Sequence, residues 1–223
     1  MTPPPKGILI IFTDFPLDED DVVDEWYTRE HVKSRVIIDG FQWGKRYEAI
    51  LGSPRYVAVY GTDDVGVLAS QAYFEAGSNP DQAEREQVPK FYNTRRTICS
   101  VTASAGEGEG GVMGFLALSP QPGREEDLRA WITHMAIPQL VAEHGVVSAH
   151  LWETNAEALT AGSRGFTPTN TSTIDWIIAW EGTRPEDLQA ARAALLKEAA
   201  IRAQGAKAEL NYGFYRLLLR LEH

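Results

Sequence analysis

The feature that most constrains this chain is an internal repeat. At a spacing of 105 residues, Trp26 is matched by Trp131, Thr28 by Thr133, Gly40 by Gly145 and Glu48 by Glu153. The spacing then becomes 120, so that Tyr56 is matched by Trp176, Tyr60 by Trp180, Tyr92 by Tyr212 and Arg96 by Arg216. Self-similarity at a fixed period means one structural unit built twice. The hydrophobic periodicities agree. Each half reads strand, helix, strand, strand, helix, strand.

In the first half the strands are expected at Gly7 to Asp14, Gly40 to Leu51, Arg55 to Gly61 and about Thr94 to Thr102, with helices at Glu19 to Ile37 and after Asp64. In the second they are expected at Val112 to Leu118, Val146 to Thr154, Thr173 to Trp180 and Tyr212 to Leu219, with helices from about Arg124 to Glu143 and Pro185 to Gln204. The Gly- and Glu-rich run 105–111 cannot pack a core and reads as a linker between units 1–104 and 112–220. The change of spacing places an insertion of 15 residues in Asn155 to Ser172, a hairpin position where long insertions serve as lids or binding loops. The final Leu221-Glu222-His223 resembles a cloning remnant and is left out of the functional reading.

A βαββαβ unit forms a four-stranded antiparallel sheet with both helices on one face. Two such units cover their bare faces by packing them together into a barrel. Strand alternation puts Ser148, His150 and Trp152 on the barrel side of one strand, and Trp43, Lys45 and Tyr47 on the barrel side of its counterpart, with Arg46 toward the helices. Tyr56 and Tyr60 share a face, as do Trp176 and Trp180. Placed between the sheets, this set would line an amphipathic pocket for a flat organic molecule.

The run Asp24-Glu25-Trp26-Tyr27-Thr28-Arg29-Glu30-His31, followed by Gly40-Phe41 and Arg46-Tyr47, resembles the WY-x-x-EH motif and the following G-F and R-Y of EthD-like proteins in the dimeric α/β-barrel superfamily. The second half carries Met135-Ala136 where the first has Glu30-His31, so a site built on that motif occurs once. The resemblance implies an α+β fold of two tandem ferredoxin-like βαββαβ units, their antiparallel sheets face to face as a pseudo-dimeric barrel. The superfamily's activities are mixed, with cofactor-independent cyclases, monooxygenases, isomerases, decarboxylases and dehydratases beside haem enzymes. The fold therefore does not choose the reaction.

His31 is the leading candidate for moving a proton, with Tyr27 one turn away lining the same cleft. Glu30 is expected to orient it or to pair with Lys33 or Arg46. Lys45, Tyr47 and His150 would hold a carbonyl or enolate oxygen. Trp26, Trp43, Tyr56, Tyr60, Trp152, Trp176 and Trp180 would stack on substrate. His134 is expected at the surface and His144 at a helix end. The expected activity is a cofactor-independent isomerase, cyclase, dehydratase or decarboxylase on an oxygenated aromatic or polyketide-like skeleton. Alternatives are a non-catalytic aromatic-metabolite binder and an oxygenase or haem-dependent relative.

Composition removes other classes. With 21 basic and 31 acidic residues the chain carries a net charge of −10, which repels nucleic acid and anionic membranes. One cysteine, Cys99, precludes an internal disulfide and points to a reducing, cytoplasmic setting. No secretion signal or spanning segment is legible. The acidic run 18–21 lacks calcium-loop spacing, and neither a phosphate loop, a nucleophile elbow nor a close histidine pair occurs. No metal or cofactor is expected, and the protein is expected to be a monomer or homodimer.

Overall fold

The computed structural model describes residues 4–164 and 175–223. Eight strands alternate with helices: β1 Gly7–Asp14, β2 Phe41–Leu51, β3 Tyr56–Thr62, β4 Tyr92–Gly106, β5 Val112–Leu118, β6 Val146–Thr154, β7 Trp176–Gly182 and β8 Asn211–Glu222. The helices are α1 (20–36), α2 Gln71–Ser78, α3 Gln82–Gln87, α4 (125–142), α5 Ala156–Gly162, α6 Pro185–Leu195 and α7 Glu198–Ala203, with short 3-10 turns between some of them. The expected element order holds. Helices cover the outer face of each half.

All eight strands are antiparallel and close into one barrel in the order β1-β3-β2-β8-β5-β7-β6-β4. Each half contributes four strands. Two seams join the halves, β2 against β8 and β4 against β6. Leu221 and Glu222, set aside from the sequence, continue β8 opposite Gly44 and Trp43, and the His223 amide donates to the Gln42 carbonyl. The linker is shorter than expected because β4 runs through Gly106.

Three apolar clusters follow from this closure. Two lie outside the barrel, one under the helices of each half. The third fills the barrel with side chains such as Ile10, Phe12, Val59, Phe115, Trp152 and Ile177, all nearly buried. Each contributes about 1.5–3 kcal/mol by leaving water. An eight-stranded barrel has an interior just wide enough for its own side chains. The expected inter-sheet pocket is therefore a packed core, and the cavity at the end lined by Phe12, Arg95, Phe115 and Tyr215 holds only about 10 Å³.

The aromatic residues divide between two faces. Trp43, Lys45, Tyr47, His150 and Trp152 lie on the barrel side, as alternation required. Tyr56 and Tyr60 lie instead under the first half's helices, and Trp176 and Trp180 under the second's. The residues proposed as one pocket occupy three places. Their neighbours Val57, Val59, Ile177 and Ala179 take the inward positions.

Candidate functional site

The two long helices share an irregularity at matched positions. In α1 the segment Tyr27–His31 is a π-turn, with the Val32 amide bonded to the Tyr27 carbonyl. In α4 the segment Ile132–Ala136 is another, with the Ile137 amide bonded to the Ile132 carbonyl. Such bulges widen a helix locally and recur at functional positions. The first presents His31. The second presents Ala136, which packs into the apolar cluster of its half.

His31 ends the first π-turn against two aromatic rings, with centroids 4.6 Å away at Trp26 and 4.7 Å away at Tyr27. Its Nδ1 lies 3.0 Å from Glu84 Oε1 of α3. The guanidinium of Arg35, one turn further along α1, bonds the same carboxylate oxygen. Burial lowers the pKa of His31, Arg35 adds to the lowering, and Glu84 opposes it. Burial also pushes Glu84 upward, but His31 and Arg35 outweigh it and hold the carboxyl below its usual value. The result at neutral pH is an uncharged imidazole backed by a carboxylate, which suits a general base.

Around Tyr27, Trp26 Nε1 and one terminal nitrogen of Arg46 are buried with no hydrogen-bond partner, and the buried Tyr60 hydroxyl lies beside that of Tyr27. The other terminal nitrogen of Arg46 reaches Asp24 Oδ1 at 2.7 Å and Thr28 Oγ1 at 3.0 Å, and its guanidinium lies 4.5 Å over the Tyr27 ring. Tyr56 bonds Asp20 at 2.8 Å and stacks on Phe15. Buried polar groups are normally satisfied, so the unmet donors on Trp26, whose ring touches His31, and on Arg46 depart from the rule.

Lys45, Tyr47 and His150, expected to assist His31, lie across the sheet from it. Lys45 Nζ sits between Glu181 at 2.9 Å and Glu109 at 3.1 Å, 4.8 Å over the Trp43 ring. Glu181 also accepts the Gly110 amide at 3.0 Å, and Glu109 pairs with Arg220 at 2.6 Å. This charged group ties the linker to both halves. Burial, then Glu181 and Glu109, push the Tyr47 hydroxyl well up, and that hydroxyl has no partner. His150 bonds Ser104 at 2.9 Å and stacks on Trp152, while burial and then Lys45 lower its pKa to about 4.

Glu30 is exposed at the surface, and the carboxylate beside His31 is that of Glu84. Trp176 packs beneath Arg129 and Trp180 beside Phe214, neither near His31. His134 and His144 are exposed, as expected. Sequence reasoning missed Glu84, Arg35, Tyr73 and Phe91. Arg35 had a signal, since a residue four positions beyond His31 shares its helix face. Glu84 had none.

No protein-family model and no curated protein matches the sequence. Solved structures do match over nearly the whole chain. An anthrone oxidase-like protein superposes with a TM-score of 0.68 at 10% identity, covering 99% of this chain and 94% of its own. A protein assigned as a monooxygenase from Fusobacterium nucleatum gives 0.62 at 12% identity, covering 100% and 96%. This chain has the dimeric α/β-barrel fold. A haem-binding protein from Thermus thermophilus shares it, with a TM-score of 0.54 at 9% identity, covering 98% and 93%. Among the described residues, no helix is long and apolar enough to cross a membrane, and no group of three or more His, Cys, Asp or Glu side chains is placed to hold a metal ion.

Proposed function

We propose that the chain is an EthD-like member of this superfamily and a cofactor-independent enzyme acting on a flat, oxygenated, aromatic or polyketide-like skeleton. His31 is its general base. The observation that carries this reading is the uncharged, Glu84-backed imidazole beside unmet buried donors. His31 removes a proton from carbon next to a carbonyl or its vinylogue. Tyr60 Oη, Trp26 Nε1 and Arg46 supply hydrogen bonds to the oxygen on which negative charge develops. Trp26, Tyr27 and Phe91 give the ring system an apolar bed and exclude water.

Haem, which some proteins of this fold bind, does not fit the described residues. A carboxylate behind Nδ1 would suit an axial histidine, but the buried rings of Trp26 and Tyr27 pack on each other and both touch His31. His150 stacks on Trp152 with Nδ1 bonded to Ser104. Neither ring adjoins a slot for a macrocycle among the described residues.

The test uses 1,8-dihydroxy-9-anthrone, chosen because a fold neighbour is described as anthrone oxidase-like. Exchange of its acidic methylene protons in D2O is followed anaerobically by NMR. Wild-type protein accelerates the exchange over buffer, and His31→Ala lowers it by about two orders of magnitude. Equal exchange by both proteins removes His31 from the chemistry. Binding of the anthrone with no exchange above buffer, seen by quenching of tryptophan fluorescence, replaces the enzyme with the aromatic-metabolite binder.

A further inference from the structure

The described part of the insertion that distinguishes the second half packs on the first half. This part opens at Asn155, whose amide donates to the Ile98 carbonyl and whose Nδ2 reaches Ser100 Oγ at 3.3 Å. Ile98 and Ser100 belong to β4, in the first half. Asn155 Oδ1 then accepts the Ala158 amide at 2.9 Å and starts α5. Ala158 joins the apolar cluster that contains Trp26, Tyr27, Tyr60 and Tyr73. At Gly162 the helix touches the first half so closely that a Cβ would lie 2.3 Å from the Leu68 carbonyl oxygen and 2.7 Å from Ile98 Cδ1.

Arg96 of β4 locks this contact. One terminal nitrogen donates to Ser163 Oγ at 3.1 Å, and the other to the Gly162 carbonyl at 3.2 Å and to Tyr73 Oη at 3.0 Å. Tyr73 is buried in the same apolar cluster as Tyr27 and Tyr60 and raises the pKa of both. One side chain thus joins the end of α5 to the cluster that contains Tyr27, whose ring touches His31. Its repeat counterpart Arg216 makes only a surface pair with Glu48, at 2.7 Å.

We propose that the second half, through α5, forms an outer wall over the packed tyrosine group whose Tyr27 ring touches His31, and that Arg96 is the positioning residue that holds it there. The geometry stands without any assignment of reaction, while the effect on turnover rests on the function proposed above. In the joined chain the second half lacks a histidine of its own at this position and works on the site of the first.

The wall is tested by the rate at which diethyl pyrocarbonate acylates each histidine, read by peptide mass spectrometry. The reagent needs an uncharged, accessible imidazole and no substrate. In wild-type protein His31 reacts slowly beside exposed His134 and His144. In Arg96→Met, which loses bonds from a charged group, the His31 rate rises about tenfold while the exposed histidines are unchanged. Gly162→Ala, which pushes α5 off Leu68 with Arg96 intact, gives the same selective rise, and Arg216→Met gives none. An unchanged His31 rate in folded Arg96→Met and Gly162→Ala overturns the proposal. Should Arg96→Met unfold, with all histidines rising together, Gly162→Ala decides alone. Loss of anthrone exchange in wild-type protein would refute the reaction and leave this measurement to judge the wall.

Discussion

Glu84 Oε1 lies 3.0 Å from His31 Nδ1, and the carboxylate arrives from a separate helix that Asp81 caps by accepting the Glu84 amide at 2.8 Å. The pair is held by backbone as well as side chains. Because the carboxylate raises a histidine pKa that burial and Arg35 lower, its removal lowers that pKa further. In Glu84→Gln the acid limb of the anthrone-exchange profile therefore moves to lower pH, and the rate on the plateau falls because the base is weaker. A limb that stays in place shows that Glu84 does not tune His31.

Tyr60 separates stability from activity. Its hydroxyl is buried beside that of Tyr27, and a hydrogen bond of this kind contributes about 0.5–1.5 kcal/mol. Tyr60→Phe removes at most that contribution, so the urea midpoint changes little. If the hydroxyl donates to the developing oxyanion, exchange falls by about a hundredfold. Full activity in Tyr60→Phe removes it from the oxyanion contacts.

Lys45 behaves in the opposite way. It is 2% exposed and compensates Glu181, itself 6% exposed, and Glu109. Lys45→Met leaves a buried carboxylate uncompensated and destabilises by about 3–5 kcal/mol in urea unfolding. Lys45→Met/Glu181→Leu recovers most of that loss. A double variant no better than the single would mean that the packing of the lysine stem, and not the charge pair, holds this end of the barrel.

His150 sets an acid limit on stability. Its folded pKa of about 4 lies below the ordinary 6.5, so as pH falls below 6.5 the unfolded chain takes up the proton first. Stability declines from about pH 6.5 and this contribution levels off near 4. His31, also lowered, acts in the same direction. His150→Gln flattens part of the decline in urea titrations made across that range. An identical pH slope in the variant would show that the imidazole already takes up its proton at the ordinary value in the folded protein.

The repeat made the fold legible. It gave the strand and helix order and the helix-facing Arg46, and alternation correctly sent Lys45, Tyr47, His150 and Trp152 inward. Alternation failed for Tyr56, Tyr60, Trp176 and Trp180 for a physical reason. β3 and β7 are buried along their whole lengths, so both faces of each strand are largely apolar, Glu181 excepted, and the pattern carries little sign of which faces the barrel. The π-turn that presents His31 leaves no periodic mark either. The site was half legible because its histidine lay in a motif, whereas Glu84 and Tyr73 reach it only through tertiary folding. The insertion could be found, but the docking of its α5 on the opposite half could not, and residues 165–172 of it, with the first two of the strand expected from Thr173, lie outside the described part.

The matched π-turns show what covalent joining made possible. In a barrel assembled from two identical chains, one sequence must serve both clefts, and a change that spoils the site spoils it twice. Here the turn ending at His31 and the turn ending at Ala136 sit in one chain and answer to different demands. In the second copy the last position of the turn is Ala136, which packs into core. Each closed barrel then carries a single π-turn that ends in a histidine, so the proposed site predicts one ligand per chain.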